Sequence, residues 1–276
     1  MSGLVKVLSL GAGVQSSAVL RLAIHGEIER PDHVIFADVG WEPKAVYEHL
    51  AILEVEMAEA GLDFHKVSVG NIKEDELRAT ARGRHAEGKT NISMPVYAQH
   101  QDGVGTMRRQ CTRQYKVDPI SKLVKSLADV GRKSKNNNIP KVEQWFGISM
   151  DEIRRCTLSR YWWATNYYPL IDLGMSRDDC VQWMDRKGYP RPPRSACVAC
   201  PYKSDLEWRH LRDTSPDEFE DACQFDEAIR NRGGMRGQIF VHRSAKPLRD
   251  VDFSTPEDHG QQNMFRDNEC AGMCGV

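Results

Sequence analysis

Between Val5 and Val69 short apolar runs alternate with longer stretches of helical spacing, and this alternation constrains the fold more than anything else in the chain. Val5 to Leu10 reads as a buried strand that runs directly into Gly11 and Gly13. Gln15 to His25 then has helical periodicity, with Val19, Leu20, Leu22, Ala23 and Ile24 apolar. His33 to Asp38 is a second strand. A helix from about Lys44 to Ala60 follows, with Pro43 at its start, where a missing N–H costs little, and Gly61 at its end. Phe64 to Val69 is a third strand. Alternating strands and helices argue a parallel sheet with right-handed crossovers, and a parallel sheet needs both faces covered. The expectation is an α/β protein with a twisted parallel sheet and helices on both faces.

The pattern weakens from Asn71 to Thr112, where Gly83, Gly88, Gly103 and Gly105 punctuate a polar stretch that reads as a mobile substrate-side loop region. Beyond it the sequence predicts a helix from about Asp118 to Asp129, a solvated loop over 131–138 and a fourth strand from Val142 to Ser149. A further helix is opened by Ser176 and runs to Lys187, with Asp178 and Asp179 in its first turn, where the helix dipole favours them. Asp205 to Arg232 reads as largely helical, and the tail from Ser244 as polar and irregular. The expected organisation is a nucleotide-binding domain with a cysteine cluster over 1–205 and a helical, cysteine-containing extension over 206–276.

The chain of 276 residues has a formal charge of −1, so no global field draws it to nucleic acid or anionic membranes. Local basic runs remain, at Arg108, Arg109, Arg113 and Lys116 and again at Arg186, Lys187, Arg191 and Arg194. No apolar stretch approaches a membrane span and no signal peptide is evident, so a cytoplasmic protein is expected. Eight cysteines in that compartment are mostly reduced, and clustered ones point to metal binding or catalysis. Cys197 and Cys200 form a Cys-x-x-Cys pair that places two thiolates within reach of one metal, and Cys111 lies far upstream. Cys156, Cys180 and Cys223 stand alone in helix-like patterns and read as small buried thiols.

After a first strand, the glycines at 11 and 13 let backbone N–H groups approach a phosphate, and Ser9, Ser16 and Ser17 add hydroxyls. The turn has neither the Walker ending nor the Gly-x-Gly-x-x-Gly spacing. It resembles the PP-loop of the adenine-nucleotide α-hydrolase superfamily, with Gln15 at the usual Asp position, as in many sulfonucleotide reductases. The segment from Phe36 to Tyr47, with Asp38 and Gly40, resembles the strand end that lies beside adenosine in that family. Cys111 with Lys116 to Ile120, then Tyr168 to Asp172, Gly188 to Pro190 and Ala196 to Cys200, resemble the later segments of the iron–sulfur phosphoadenosine phosphosulfate (PAPS/APS) reductases in the same order. The resemblance implies a PP-loop/HUP-like fold, an adenine nucleotide (ATP, APS or PAPS) at Ser9, Gly11, Gly13, Gln15, Ser16, Ser17, Asp38 and Gly40, and a [4Fe–4S] cluster near Lys116.

In those enzymes two adjacent cysteines join the distant pair, whereas here Thr112 follows Cys111. The metal set is therefore Cys111, Cys197 and Cys200, completed by Cys270 or Cys274 or left with an open iron. Zinc on four thiolates is the rival metal. Glu269 and Cys270 resemble the reductase tail whose cysteine attacks the sulfonucleotide, which makes Cys270 the candidate nucleophile, with a thioredoxin-like protein as reductant. The resemblance puts Lys116 beside the cluster as the second catalytic residue, a cation that keeps thiolates deprotonated. The turn after the fourth strand, Gly147 to Met150, lacks the arginines found in the reductases, and Arg154, Arg155 and Arg160 follow downstream. Three readings result: a reductase-like enzyme of sulfur chemistry; an ATP-dependent thiolase that modifies a tRNA base or DNA using a sulfur donor; and a non-catalytic, zinc-stabilised nucleotide-binding module.

Overall fold

The structure, a computed structural model, describes residues 4–81, 92–101, 103–131, 139–232, 235, 237–254 and 258. Cys270 and Cys274, the expected tail nucleophile and fourth ligand, lie outside these residues. The chain divides into two compact units, each assembled from three stretches of sequence.

The first unit comprises Met1–Asp38, Lys44–Val69 and Lys116–Ser195. Its strands are β1 (Val5–Leu10), β2 (His33–Asp38), β3 (Asp63–Ser68), β6 (Val142–Phe146) and β7 (Ala164–Tyr167). They form one parallel sheet in the order β3-β2-β1-β6-β7, with Leu8 opposite both Val34 and Trp145. The central strands read as continuous apolar runs because both their faces are buried. On one face Leu8, Leu10, Val34, Phe36 and Trp145 pack with α1 (Val14–Ile24), α2 (Lys44–Glu59) and α6 (Arg177–Arg186). On the other, Val7, Ile35 and Val142 pack with Val124 of α4 (Asp118–Leu127). The α/β class with helices on both faces is therefore as the alternation implied. The outer strand β3 is more polar, as an exposed edge requires.

Local signals set several element ends. Ser176 caps α6 by accepting from the Asp179 N–H at 3.1 Å, while the Asp179 carboxylate accepts from the Ser176 N–H at 2.8 Å. The expected fourth strand stops at Phe146 rather than Ser149, and a short 3₁₀ turn, Met150–Arg155, follows. Cys156 lies just past that turn and is half-buried, so it is not a helical residue as its surroundings suggested. Cys180 and Cys223 are fully buried on helices, and burial pushes their thiols up to about 12 and about 11. Neither forms a thiolate at neutral pH.

The second unit comprises Val39–Pro43, Gly70–Tyr115 and Ala196–Val276. It corrects the reading of 71–112 as a loop region. That stretch carries α3 (Ile72–Ala81) and a hairpin of β4 (Tyr97–His100) and β5 (Gly103–Thr106), and β4 also pairs with β8 (Ile239–Phe240). The stretch expected to be largely helical over 205–232 consists of two helices, α7 (Asp205–Thr214) and α8 (Pro216–Ile229), because Pro216 cannot continue α7 and instead starts α8. Trp41, Ile72, Met94, Trp208, Phe225, Ile239 and Phe253 belong to one buried core. Two buried carboxylates tie its irregular segments. Glu76 accepts from the Met94 N–H at 3.2 Å and pairs with Arg232 at 2.9 Å. Asp226, fully buried, accepts from the Val241 and Leu248 N–H groups at 2.7 and 3.1 Å. No helix among the described residues is long and apolar enough to cross a membrane.

Candidate functional site

In the first unit the strand order reverses between β1 and β6, so the chain leaves these neighbours in opposite directions and opens the sheet at their carboxyl ends. The glycine loop lies there. Ala12 is fully buried and held at φ +54°, a conformation an L-residue with a side chain adopts only under constraint. The Ser16 hydroxyl lies 3.2 Å from the Gly11 nitrogen and 3.3 Å from the Gly13 nitrogen, so the loop's donors converge on one point at the start of α1. Gly147, the first residue after β6, approaches that point closely: a Cβ there would meet the Ser16 nitrogen at 2.6 Å and its Cα at 2.7 Å. Ser195 lies over the loop from another side, 3.4 Å from where a Gly13 Cβ would be. A helix start with converging N–H groups and glycines on its approach fits a phosphate.

Gln15 donates to Glu152 at 3.2 Å, and Glu152 accepts from Arg155 at 2.7 Å. The arginine absent from the turn at 147–150 is thus present a few residues on, joined to the loop through a carboxylate. Asp38, at the end of β2, accepts from the Tyr47 hydroxyl at 2.8 Å and pairs with Lys66 at 3.1 Å. Ser9 is half-buried in β1, opposite Ile35 and Phe146. Ser17 is directed inward instead. It is fully buried, with its hydroxyl 3.0 Å from His49 Nε2, and burial with the nearby Arg21 charge holds the His49 pKa at about 4. Gly40 belongs to the second unit, at φ +74° with its carbonyl accepting from the Asn71 side chain at 2.7 Å.

The three cysteines with metal-ligand spacing all fall in the second unit and are half-buried. Cys111 donates its N–H to the Ser93 carbonyl at 2.8 Å and immediately precedes a π-helix, Thr112–Val117, that contains Lys116. Single π-helical turns are energetically poor and recur at functional positions. Buried Tyr115 in that turn donates to Asp75 at 2.8 Å, and burial with the Asp75 charge raises its pKa, so the phenol stays protonated. Cys197 and Cys200 lie on one turn, with the Cys200 N–H donating to the Cys197 carbonyl at 3.1 Å and the Val198 N–H to the Trp41 carbonyl at 3.0 Å. Cys111 and Cys197 pack on the same core as Val198, Ala199 and Tyr115. Thiols on anchored turns are the donor chemistry that iron–sulfur clusters and zinc take, so the residues present fit either group. Arg108 and Arg113, on either side of Cys111, are exposed, and the Arg109 guanidinium lies 5.9 Å from the Tyr202 ring centroid.

Sequence reasoning missed Lys66, Glu152 and Ser195 as neighbours of the loop or of Asp38, and named Tyr47 only as the end of the segment that carries Asp38. Gly147 carried a signal, because a glycine at the end of a strand beside a phosphate loop marks close backbone approach. Ser195 carried none.

No family model and no curated protein matches the chain. Among solved structures it is similar to the U34-tRNA thiolase NcsA from Methanococcus maripaludis with its [4Fe-4S] cluster, at 11% identity and a TM-score of 0.38, over 86% of this chain and 78% of that one. An overlap that loose carries no argument about this chain, whose assignment stands on its own residues.

Proposed function

We propose that this chain is an adenine-nucleotide-dependent enzyme of sulfur chemistry that thiolates a nucleic acid. The observation that carries the reading is the set of three half-buried cysteines in one compact unit, with Thr112 where a fourth ligand is expected and exposed Arg108 and Arg113 beside Cys111. A three-thiol set suits sulfur delivery better than a closed cluster does, and arginines at the surface suit a polyanion.

The loop N–H groups of Gly11 and Gly13 and the Ser16 hydroxyl hold the nucleotide phosphates, and Gln15 with Arg155 orients them through Glu152. Asp38 fixes the nucleoside end. An oxygen of the nucleic acid attacks the α-phosphorus of ATP, the α–β bond breaks and pyrophosphate leaves. Hydrosulfide then displaces AMP from the activated position, so sulfur replaces oxygen without net redox change. The fixed N–H donors stabilise charge that develops on the phosphates. Cys111, Cys197 and Cys200 would hold a cluster, which when bound supplies a Lewis-acidic iron able to carry hydrosulfide.

The test uses anaerobically purified full-length protein with ATP, sulfide and either tRNA or duplex DNA. Pyrophosphate release that depends on the nucleic acid, with sulfur incorporated into it and that incorporation lost on Cys111→Ser, is the expected result. Sulfite release from adenylyl sulfate or its 3′-phosphorylated form, lost on Cys270→Ser, would overturn it in favour of the reductase reading, which the ordered motifs and the tail cysteine support. Colourless protein with stoichiometric zinc and neither activity would leave the nucleotide-binding module.

A further inference from the structure

We propose that His33, Asp63 and His65 form a binding site for a divalent transition ion of the zinc class. The site rests on no part of the sulfur-transfer reading. β2 and β3 pair in parallel with His33 opposite Asp63 and Ile35 opposite His65. Side chains two apart on a strand share a face, so Asp63 and His65 project together, and the register adds His33 beside them.

Their polar atoms converge on one small triangle. His33 Nδ1 lies 2.8 Å from Asp63 Oδ2, His65 Nε2 lies 3.1 Å from the same oxygen, and the two ring nitrogens are 3.2 Å apart. Zinc bonds to nitrogen and oxygen of about 2.0–2.2 Å imply ligand-to-ligand edges of about 2.9 Å at right angles and about 3.3 Å in a tetrahedron. The observed edges are of that size, so an ion fits the triangle with small shifts. One carboxylate oxygen faces two imidazole nitrogens, and a cation on that side satisfies all three lone pairs at once. The rings are half-buried, at 20% and 24% exposure, and Asp63 is open at 57%, so the ligands are held on strand backbone while solvent reaches the ion. Two imidazoles and one carboxylate are borderline donors that suit zinc, cobalt, nickel or iron over magnesium or calcium, and water fills the remaining positions.

The position is also informative. His33 begins β2 and Asp38 ends it, five residues or roughly 17 Å further on, so the triad lies at the opposite end of the sheet from the phosphate loop. It is not a site for a nucleotide-bound magnesium. It joins the polar edge strand β3 to its neighbour β2, and metal binding there clamps an edge that few buried side chains hold.

The experiment titrates the full-length protein with Co²⁺ and Zn²⁺ by calorimetry and visible absorption, beside His33→Gln, Asp63→Asn, His65→Gln and Cys197→Ser variants. With its cysteine site already loaded, the wild type takes up one further ion with cobalt d–d absorption and no added thiolate charge-transfer band. Each His or Asp variant weakens that binding at least about tenfold, Cys197→Ser leaves it intact, and Zn²⁺ raises the melting temperature of the wild type and of Cys197→Ser but not of the triad variants. Unchanged binding in the three triad variants, or its loss in Cys197→Ser, overturns the proposal. Line broadening of the His33 and His65 ring signals by Co²⁺ in the wild type tests it without any variant, and unbroadened rings refute it.

Discussion

In the parallel-sheet unit, the residues proposed to hold the nucleotide phosphates sit in the turn after β1 and the first turn of α1, Gly11 to Ser16, with Gly147 and Glu152 against them after β6. In the second unit the thiols come from segments that are remote in sequence and irregular in structure, the residue before a π-helical turn for Cys111 and a non-helical turn for Cys197 and Cys200, and Cys111 and Cys197 pack on one apolar core. Regular elements aim backbone N–H groups, which is what a phosphate needs. Side-chain sulfur ligands demand no particular backbone, only that their turns be anchored. The phosphate site should therefore be sensitive to backbone space, and the thiol site to the ligand atoms themselves.

The largest expected effect separates the two. Cys197→Ser abolishes the cysteine-bound iron or zinc and sulfur transfer while nucleotide affinity stays within about twofold, since independent sites behave additively. Metal analysis alongside nucleotide titration checks this, and a parallel collapse of nucleotide binding would break the comparison.

Gly147→Val is the complementary probe. Its side chain must displace the backbone at Ser16, which costs roughly 3 kcal/mol and removes nucleotide binding. Denaturant titration reads the first and calorimetry the second. Gly131→Ala, where nothing lies within 4 Å, stays within about 0.5 kcal/mol of wild type.

A third probe uses pH. His49 is held neutral in the fold with a pKa of about 4 against 6.5 for the ordinary group. Between these values the unfolded chain binds a proton that the fold refuses, so this contribution is full above pH 6.5 and is lost as pH falls toward 4. The loss reaches up to roughly 3 kcal/mol, and His49→Gln flattens that slope of stability against pH. Glu76 in the second unit works in the opposite sense. Burial raises its pKa despite bonds from Ser93 and Arg232, so its contribution is largest in acid and falls as pH rises through its folded pKa.

The smallest effect is at the surface. Arg108→Ala lowers the slope of log affinity for nucleic acid against log salt by about 1, with sequence preference unchanged. An unchanged slope would remove Arg108 from the polyanion contact.

The strands and helices from Val5 to Ser68 are legible in sequence because each is long, periodic and closed by local signals, and the whole α/β class follows from them. The position of the glycine loop is legible for the same reason, since a glycine turn between a strand and a helix is a local object. The Ser176 cap is equally local. The hairpin of β4 and β5 is not, because four-residue strands carry almost no periodicity and β4 exists by pairing with β8, far along the chain. Nor is the break at Ser215, where one helical pattern covers two helices and only Pro216 marks the division.

The sequence by itself determined the parallel sheet and the glycine turn, since these depend on residue type and near-neighbour spacing. Only the tertiary structure decided that Ser17 turns inward to His49, that Arg155 reaches the loop through Glu152 and Gln15, that Gly147 must lack a side chain, and that His33, Asp63 and His65 meet. Each of these depends on which strands lie side by side and in what register. That is set by burial of the whole core, not by the residues adjoining each position.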